Sequence, residues 1–321
     1  MKPTSIPAVS GDELAIARTV IYAALFDYPL TLEQLRETLL ESSLSAAEIL
    51  ETFRTSPTLQ SIIEHRDGFF FPAGRHALVA ERRDREARSR IFLERHRRLL
   101  SLVCAVPYTR LVALSGSIAH MNLEGDGDLD LFIVTRGPHV WSVAVAVLLI
   151  AKLLGSRRIL CANFLIADSH LAIGQDDVFT ANQMIHLKPL VGADLYEALL
   201  AGNPCVRRYY PNFRARGGVS DSRIDVGSRF MPVKTILERL LIGPARIAEI
   251  VCRFLYARHL RRRASSWRSP DEVQLQAAYL KLHSQSHKRI VLDLFDRAVS
   301  GALDRASNLQ AVGAAAGRTR R

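Results

Sequence analysis

The sequence predicts an α+β protein, with a helical segment and a hairpin at its N-terminus, an α/β core in the middle and a helical C-terminal region. Three observations predict it. Residues 12–72 read as three short amphipathic helices leading into a hairpin. Residues 111–167 alternate apolar strand runs with helical spacing, in the order strand, short helix, strand, helix, strand. Beyond residue 178 the apolar spacing is mostly helical. The implied division is residues 1–74, 75–213 and 214–321.

Residues 1–10 read as a loose tail. In DELAIARTVIYAALF, Asp12 to Phe26, Leu14, Ala17, Ile21 and Leu25 share one helical face, and Pro29 ends the element. Thr31-Leu32-Glu33-Gln34 and Ser45-Ala46-Ala47-Glu48 are capping boxes that open a second and a third helix. In SIIEHRDGFFFP, Asp67-Gly68 is a tight-turn pair between two apolar runs. Three short helices and then a hairpin is the pattern of a winged helix. A long arginine-rich helix is expected from Arg75 to about Cys104. Its interleaved acids predict a solvated face laced with i,i+4 pairs, while Arg95, Arg97 and Arg98 add positive potential ahead of the core.

In the core, strands are expected at Leu111–Leu114, Asp128–Val134 and Ile159–Ala167, with a short helix from Ile118 to Asn122. The apolar run VWSVAVAVLLIAKLL, Val140 to Leu154, is short for a bilayer span and is interrupted by Lys152. It is expected to pack on the sheet, which leaves no transmembrane segment. Further helices are expected at Phe179–Leu187, Asp194–Ala201, Val233–Arg263 with a break at Gly243-Pro244, and Glu272–Leu303. A Gly/Ser/Arg-rich linker from Arg214 to Ser228 and a frayed tail, AVGAAAGRTRR, complete the chain.

The net charge is +11 and the pI about 9.9, an excess that points to an anionic partner such as nucleic acid, a nucleotide or an acidic membrane surface. The four cysteines are scattered with no CxxC pair, which argues against a structural zinc site and for reduced thiols in a cytoplasmic setting. MKPTSIPAVSGDEL lacks the apolar core of a signal peptide.

The chemistry concentrates in LSGSIAHMNLEGDGDLDLFIV, Leu114 to Val134. Asp128 and Asp130 alternate with Leu129 and Leu131, so a strand there carries both carboxylates on one face. Like charges that close repel unless a cation lies between them, and hard divalent ions with oxygen ligands, Mg2+ above all, suit the pair. A calcium loop beginning at Asp126 would need Gly at its sixth position and Glu at its twelfth, where Leu131 and Gly137 stand. A solvated loop accounts for Asp126 and Gly127 but not for Asp130 inside an apolar run. Upstream, Gly116 permits close backbone approach, and Ser117 offers a hydroxyl and an N–H at a helix start, a phosphate site.

Gly116-Ser117, ten residues and then Asp128-Leu129-Asp130-Leu131 resemble the signature of the DNA polymerase beta-like nucleotidyltransferase superfamily. The motif with its flanking elements covers about a quarter of the chain. The whole chain looks like a bacterial branch of that superfamily, FDYPLTLEQL, DVFTANQMIHLKPLVG and LKLHSQSHKRIVLDLF included. The resemblance implies a nucleotidyltransferase core with a mixed sheet, with Gly116 and Ser117 on the phosphates of a nucleoside triphosphate and Asp128 and Asp130 on magnesium. It also implies transfer of a nucleoside monophosphate to an acceptor hydroxyl; a small molecule, a protein and a nucleic acid remain open as the acceptor. The superfamily usually has a third carboxylate on a neighbouring strand. Here Asn163 stands at the centre of CANFLIA, with Asp168 at its end as the alternative, so the third position departs from the pattern; an amide oxygen can ligate a metal but is no base.

Other residues carry weaker expectations. His120 could face a phosphate or simply cap a helix, and Lys188 could bring a positive charge to the site. His283 and His287 have metal-capable i,i+4 spacing without an accompanying acid. Arg258, Arg261, Arg262 and Arg263 follow an amphipathic run and could touch an anionic surface. A non-catalytic regulator that senses nucleotide or binds DNA is the alternative. Its expected reading helix, Ser45 to Thr55, carries only Arg54 beside Glu48 and Glu51, a poor composition for DNA contact.

Overall fold

The computed structural model describes residues 10–125, 127–215, 231–282 and 287–318. In chain order the elements begin with α1 (Gly11–Ala24), β1 (Leu30–Thr31), α2 (Leu32–Glu37), α3 (Ala46–Thr55), α4 (Pro57–Ile62), β2 (Ile63–Arg66) and β3 (Phe69–Pro72). Then come α5 (Ala77–Arg95), α6 (Arg97–Cys104), β4 (Thr109–Ser115), α7 (Gly116–Ala119), β5 (Leu129–Thr135), α8 (Val140–Leu153) and β6 (Leu160–Ala167). The rest are α9 (Val178–Ile185), β7 (Lys188–Val191), α10 (Ala193–Ala201), α11 (Cys205–Tyr209), α12 (Met231–Leu240), α13 (Pro244–Arg261), β8 (Val273–Leu275), β9 (Tyr279–Leu282) and α14 (Lys288–Arg318). The protein is α+β. It forms two compact units, one of residues 1–84, 205–214 and 287–321, the other of residues 85–204 and 215–286.

In the first unit both expected capping boxes form. Thr31 Oγ1 accepts from Gln34 N–H while Gln34 Oε1 accepts from Thr31 N–H, and Ser45 and Glu48 do the same. These bonds satisfy amides that a helix start leaves bare. Asp67 and Gly68 both take positive φ, 54° and 82°, as a tight two-residue hairpin requires. The three strands order as β1-β3-β2, all antiparallel. An additional helix, α4, is capped by Ser56 and started by Pro57. Phe295 of α14 meets Tyr22 of α1 edge-to-face at 5.0 Å, and Asn212 donates to the carbonyls of Arg36 and Leu44. Segments distant in sequence thus close this unit.

The second unit is built on a six-stranded mixed sheet of order β7-β4-β5-β6-β9-β8, in which β5 and β6 run parallel and the other pairs antiparallel. Leu129, Leu131 and Ile133 face one side with Val112, Leu114 and the α8 residues Trp141, Ala144 and Val147. Phe132 and Val134 face the other with Ala113, Phe164, Leu195 and Tyr279. α8 therefore packs on the sheet as expected, and among the described residues no helix is long and apolar enough to cross a membrane.

Glu249 of α13 anchors α8. Its carboxylate accepts from the N–H groups of Trp141 and Ser142 at 2.9 and 2.8 Å and from Ser142 Oγ at 2.6 Å. A buried acid thus satisfies a helix N-terminus whose own cap residue, His139, makes no side-chain cap bond. Glu249→Ala orphans three buried or half-buried donors and is expected to destabilise by about 2–3 kcal/mol, measured as a lowered urea midpoint with unchanged slope.

Three expectations are corrected. The stretch Glu272–Leu303 is not wholly helical: β8 and β9 extend the sheet there, because Tyr279 and Leu280 alternate between its two faces. The C-terminal region is therefore not purely helical. The long basic helix breaks at His96 into α5 and α6, and two of its arginines, Arg82 and Arg85, are buried rather than solvated. Arg82 lies 4.0 Å over the Tyr28 ring and donates to Pro29 O. The expected C-terminal tail continues α14 as far as Arg318.

Candidate functional site

The motif lies at one end of β4 and β5, in the second unit. Ser115 ends β4 directly opposite Asp130 of the antiparallel β5. The chain leaves β4 through Gly116, with φ +63°, into the single turn α7. That conformation favours glycine, and space adds a second reason. A Cβ at Gly116 would lie 2.3 Å from Asp130 Oδ2. The bare Cα therefore seats the Asp130 carboxylate against the Gly-Ser turn. Elsewhere the same device serves packing: a Cβ at Gly192 would strike the Arg110 carbonyl oxygen at 2.1 Å, backbone that cannot move aside.

Asp128 stands immediately before β5 and is exposed, whereas Asp130, on the strand, is half-buried. Alternation puts Asp130 on the face of Phe132 and Val134. Burial, and then the negative charge of Asp128, push the Asp130 carboxyl up to about 6. A cation between the two would relieve both effects, so this oxygen donor set fits a hard divalent ion such as Mg2+. Among the described residues no group of three or more His, Cys, Asp or Glu side chains forms a metal cluster. Magnesium needs few protein ligands when substrate phosphates and water supply the others. Asp126 and His283 lie outside the described residues.

The loop leading to the acids is held by residues of α5 that the charge pattern alone predicts to be solvated. Leu123 N–H donates to the buried Ser89 Oγ at 3.1 Å, Arg88 Nη1 donates to Leu123 O at 3.0 Å, and Arg85 Nη1 lies 2.9 Å from Glu124 Oε1. Arg85, Arg88 and Ser89 share one side of α5 at i, i+3 and i+4. That spacing was the available signal, hidden by the run of charges. Arg97 instead meets Glu94 at 3.7 Å, and Arg95 and Arg98 are exposed.

Of the two third-position candidates, the strand register places Asp168 away from the acid pair. β6 carries a bulge: Leu131 pairs with Ala162 and Phe132 with Phe164, which leaves Asn163 as the extra backbone residue. The residue beside Asp130 on β6 is Cys161. Asp168 is seven residues beyond Cys161, roughly 23 Å along the strand. There it accepts from Gly137 N–H at 3.0 Å and meets Arg110 at 3.3 Å. Asp168 pins the opposite end of the sheet and does not reach the acids.

His120 ends α7, and its ring lies 4.1 Å from that of His186. Burial pushes His186 down to about 4, and its Nδ1 lies 2.9 Å from Asn182 O, which leaves it neutral. Ser117 is exposed at the turn. Lys188 is exposed on β7 opposite Leu114, a position that projects to the face away from Asp130.

With this geometry in view, comparison with family models, curated protein sequences and solved structures finds no match to the chain.

Proposed function

We propose that the second unit is the core of a magnesium-dependent nucleotidyltransferase that moves a nucleoside monophosphate from a nucleoside triphosphate to an acceptor hydroxyl. The observation that carries this reading is the seating of Asp130 against Gly116. It joins a turn able to approach phosphates to a carboxylate pair able to hold a cation. Asp128 and Asp130 would hold the magnesium. When bound, the metal supplies charge neutralisation on the triphosphate and lowers the barrier at phosphorus. Gly116 lets the Asp130 carboxylate lie against the turn, and Ser117 would turn its exposed hydroxyl and backbone N–H toward the phosphates. Arg85, Arg88 and Ser89 fix the loop that sets the position of Asp128.

The N-terminal order α1-β1-α2-α3-α4-β2-β3, with β1 beside β3, supports reading residues 11–72 as a winged-helix-like module. Glu48 and Glu51 are exposed on α3, which favours packing or partner binding over DNA contact.

The test is equilibrium binding of each of the four labelled nucleoside triphosphates in magnesium and in chelator. At least one is expected to bind about tenfold or more tightly with magnesium. Equal affinity in chelator removes the metal clamp, and no binding of any triphosphate removes the nucleotide.

A further inference from the structure

Helices α12 and α13 turn the wrong sides outward. On α13 the inward stripe is Ala245, Glu249, Cys252, Tyr256 and Leu260, at the three- and four-residue spacing of one helical face. The opposite stripe is Ile247, Ile250, Val251, Phe254 and Leu255, and Ile250 and Phe254 are 69% and 67% exposed. α12 repeats the inversion. Its ionic residues Lys234 and Glu238 point in, Lys234 to the Thr109 hydroxyl and Glu238 to Tyr108 N–H and Arg136, while Ile236 and Leu240 point out. Leu153, at the outer end of α8, the helix that packs against α13, is 85% exposed. Scattered exposed leucines are ordinary; exposed apolar side chains that recur along two successive helices are not.

Charge says what covers it. Between residues 231 and 263 the only carboxylates are Glu238 and Glu249, and both are turned inward. The exposed charges are all cationic: Arg239, Arg246 and Arg253 along the helices, then Arg258, Arg261, Arg262 and Arg263 at and just beyond the end of α13. A second copy of the chain would set these arginines against one another. A nucleic acid would meet the arginines but leave the aliphatic face in water. An anionic bilayer satisfies both, with arginines at the lipid phosphates and Ile and Phe side chains in the acyl boundary.

We propose that the outward face of α12 and α13, continued by the end of α8, lies in the interfacial plane of an anionic lipid bilayer. The docking is peripheral, since arginines interrupt the apolar face along its length. α8 packs on the sheet face of Leu129 and Leu131, so the bilayer lies on the side opposite Asp130 and leaves the acid pair accessible. This inference does not depend on the nucleotidyltransferase reading.

The test is cosedimentation of the full chain with vesicles of phosphatidylcholine alone or mixed with phosphatidylglycerol. Partition onto the mixed vesicles is expected to exceed that onto neutral ones by about tenfold or more. Ile250→Glu/Phe254→Glu and, separately, Arg258→Glu/Arg261→Glu/Arg262→Glu are each expected to weaken it by about tenfold or more. These side chains are exposed, and circular dichroism checks that each variant keeps its fold. Three results overturn the proposal: no partition onto the mixed vesicles, wild-type partition by the Ile250→Glu/Phe254→Glu variant, or a wild-type dimer on sedimentation that this variant dissociates.

Discussion

Asp130→Asn is expected to abolish transfer and to make the metal-free protein more stable. The two effects have one origin. Asp130 is held half-buried beside Asp128, and its carboxyl is raised from 3.8 to about 6. In that window the folded chain binds more protons than the unfolded chain, so stability falls as pH rises. The favourable contribution is fully present below about pH 4 and is lost as pH climbs through about 6. At neutral pH the ionised Asp130 opposes folding, and the isosteric amide removes that opposition, by up to roughly 3 kcal/mol. Thermal melts of wild type and variant across pH 4–8 in chelator check the sign: the two curves should diverge as pH rises. Asp128→Asn should also abolish transfer, with a smaller gain in stability because Asp128 is exposed. If both carboxylates served only the fold, each substitution would lower stability and reduce activity only in proportion to folded protein.

Gly116→Ala is the second substitution with a large expected effect, and it separates backbone strain from site geometry. The new methyl would sit 2.3 Å from Asp130 Oδ2, so the carboxylate must swing away. A displacement of that size at a reacting centre lowers transfer on the order of a hundredfold. The positive φ adds a stability loss of about 1 kcal/mol. Gly125 supplies the control. Its φ is +55°, yet a Cβ there meets nothing within 4 Å. Gly125→Ala should therefore show the same modest loss in a thermal melt and near-normal transfer. Equal loss of transfer in the two variants would mean that Gly116 acts through the backbone alone.

Much of this arrangement is legible in the residues. Alternation at Leu129-Asp130-Leu131, the capping boxes at Thr31 and Ser45 and the Asp67-Gly68 turn are local rules, and each side chain does there what its neighbours dictate. What escapes is set by distant partners. Tyr279 and Leu280 become strand only because β6 offers an edge to pair with, and a helical period fits the same letters. Arg85 and Ser89 look like a solvated face until Glu124 and Leu123 are folded against them. The β6 bulge at Asn163 follows from pairing with β5, so no reading of CANFLIA alone could choose between Asn163 and Asp168. The outward aliphatic face of α13 escapes for the same reason: periodicity locates a stripe but does not say which stripe the core takes.

The central claim is that Asp128 and Asp130 hold magnesium for nucleotidyl transfer. It is tested most directly by incubating the full chain with cell lysate, magnesium and each nucleoside triphosphate labelled at the α-phosphate. The account predicts that one label moves onto an acceptor, and that neither Asp128→Asn nor Asp130→Asn moves it although both stay folded. Transfer of the label by the folded Asp128→Asn/Asp130→Asn double variant at the wild-type rate would contradict it.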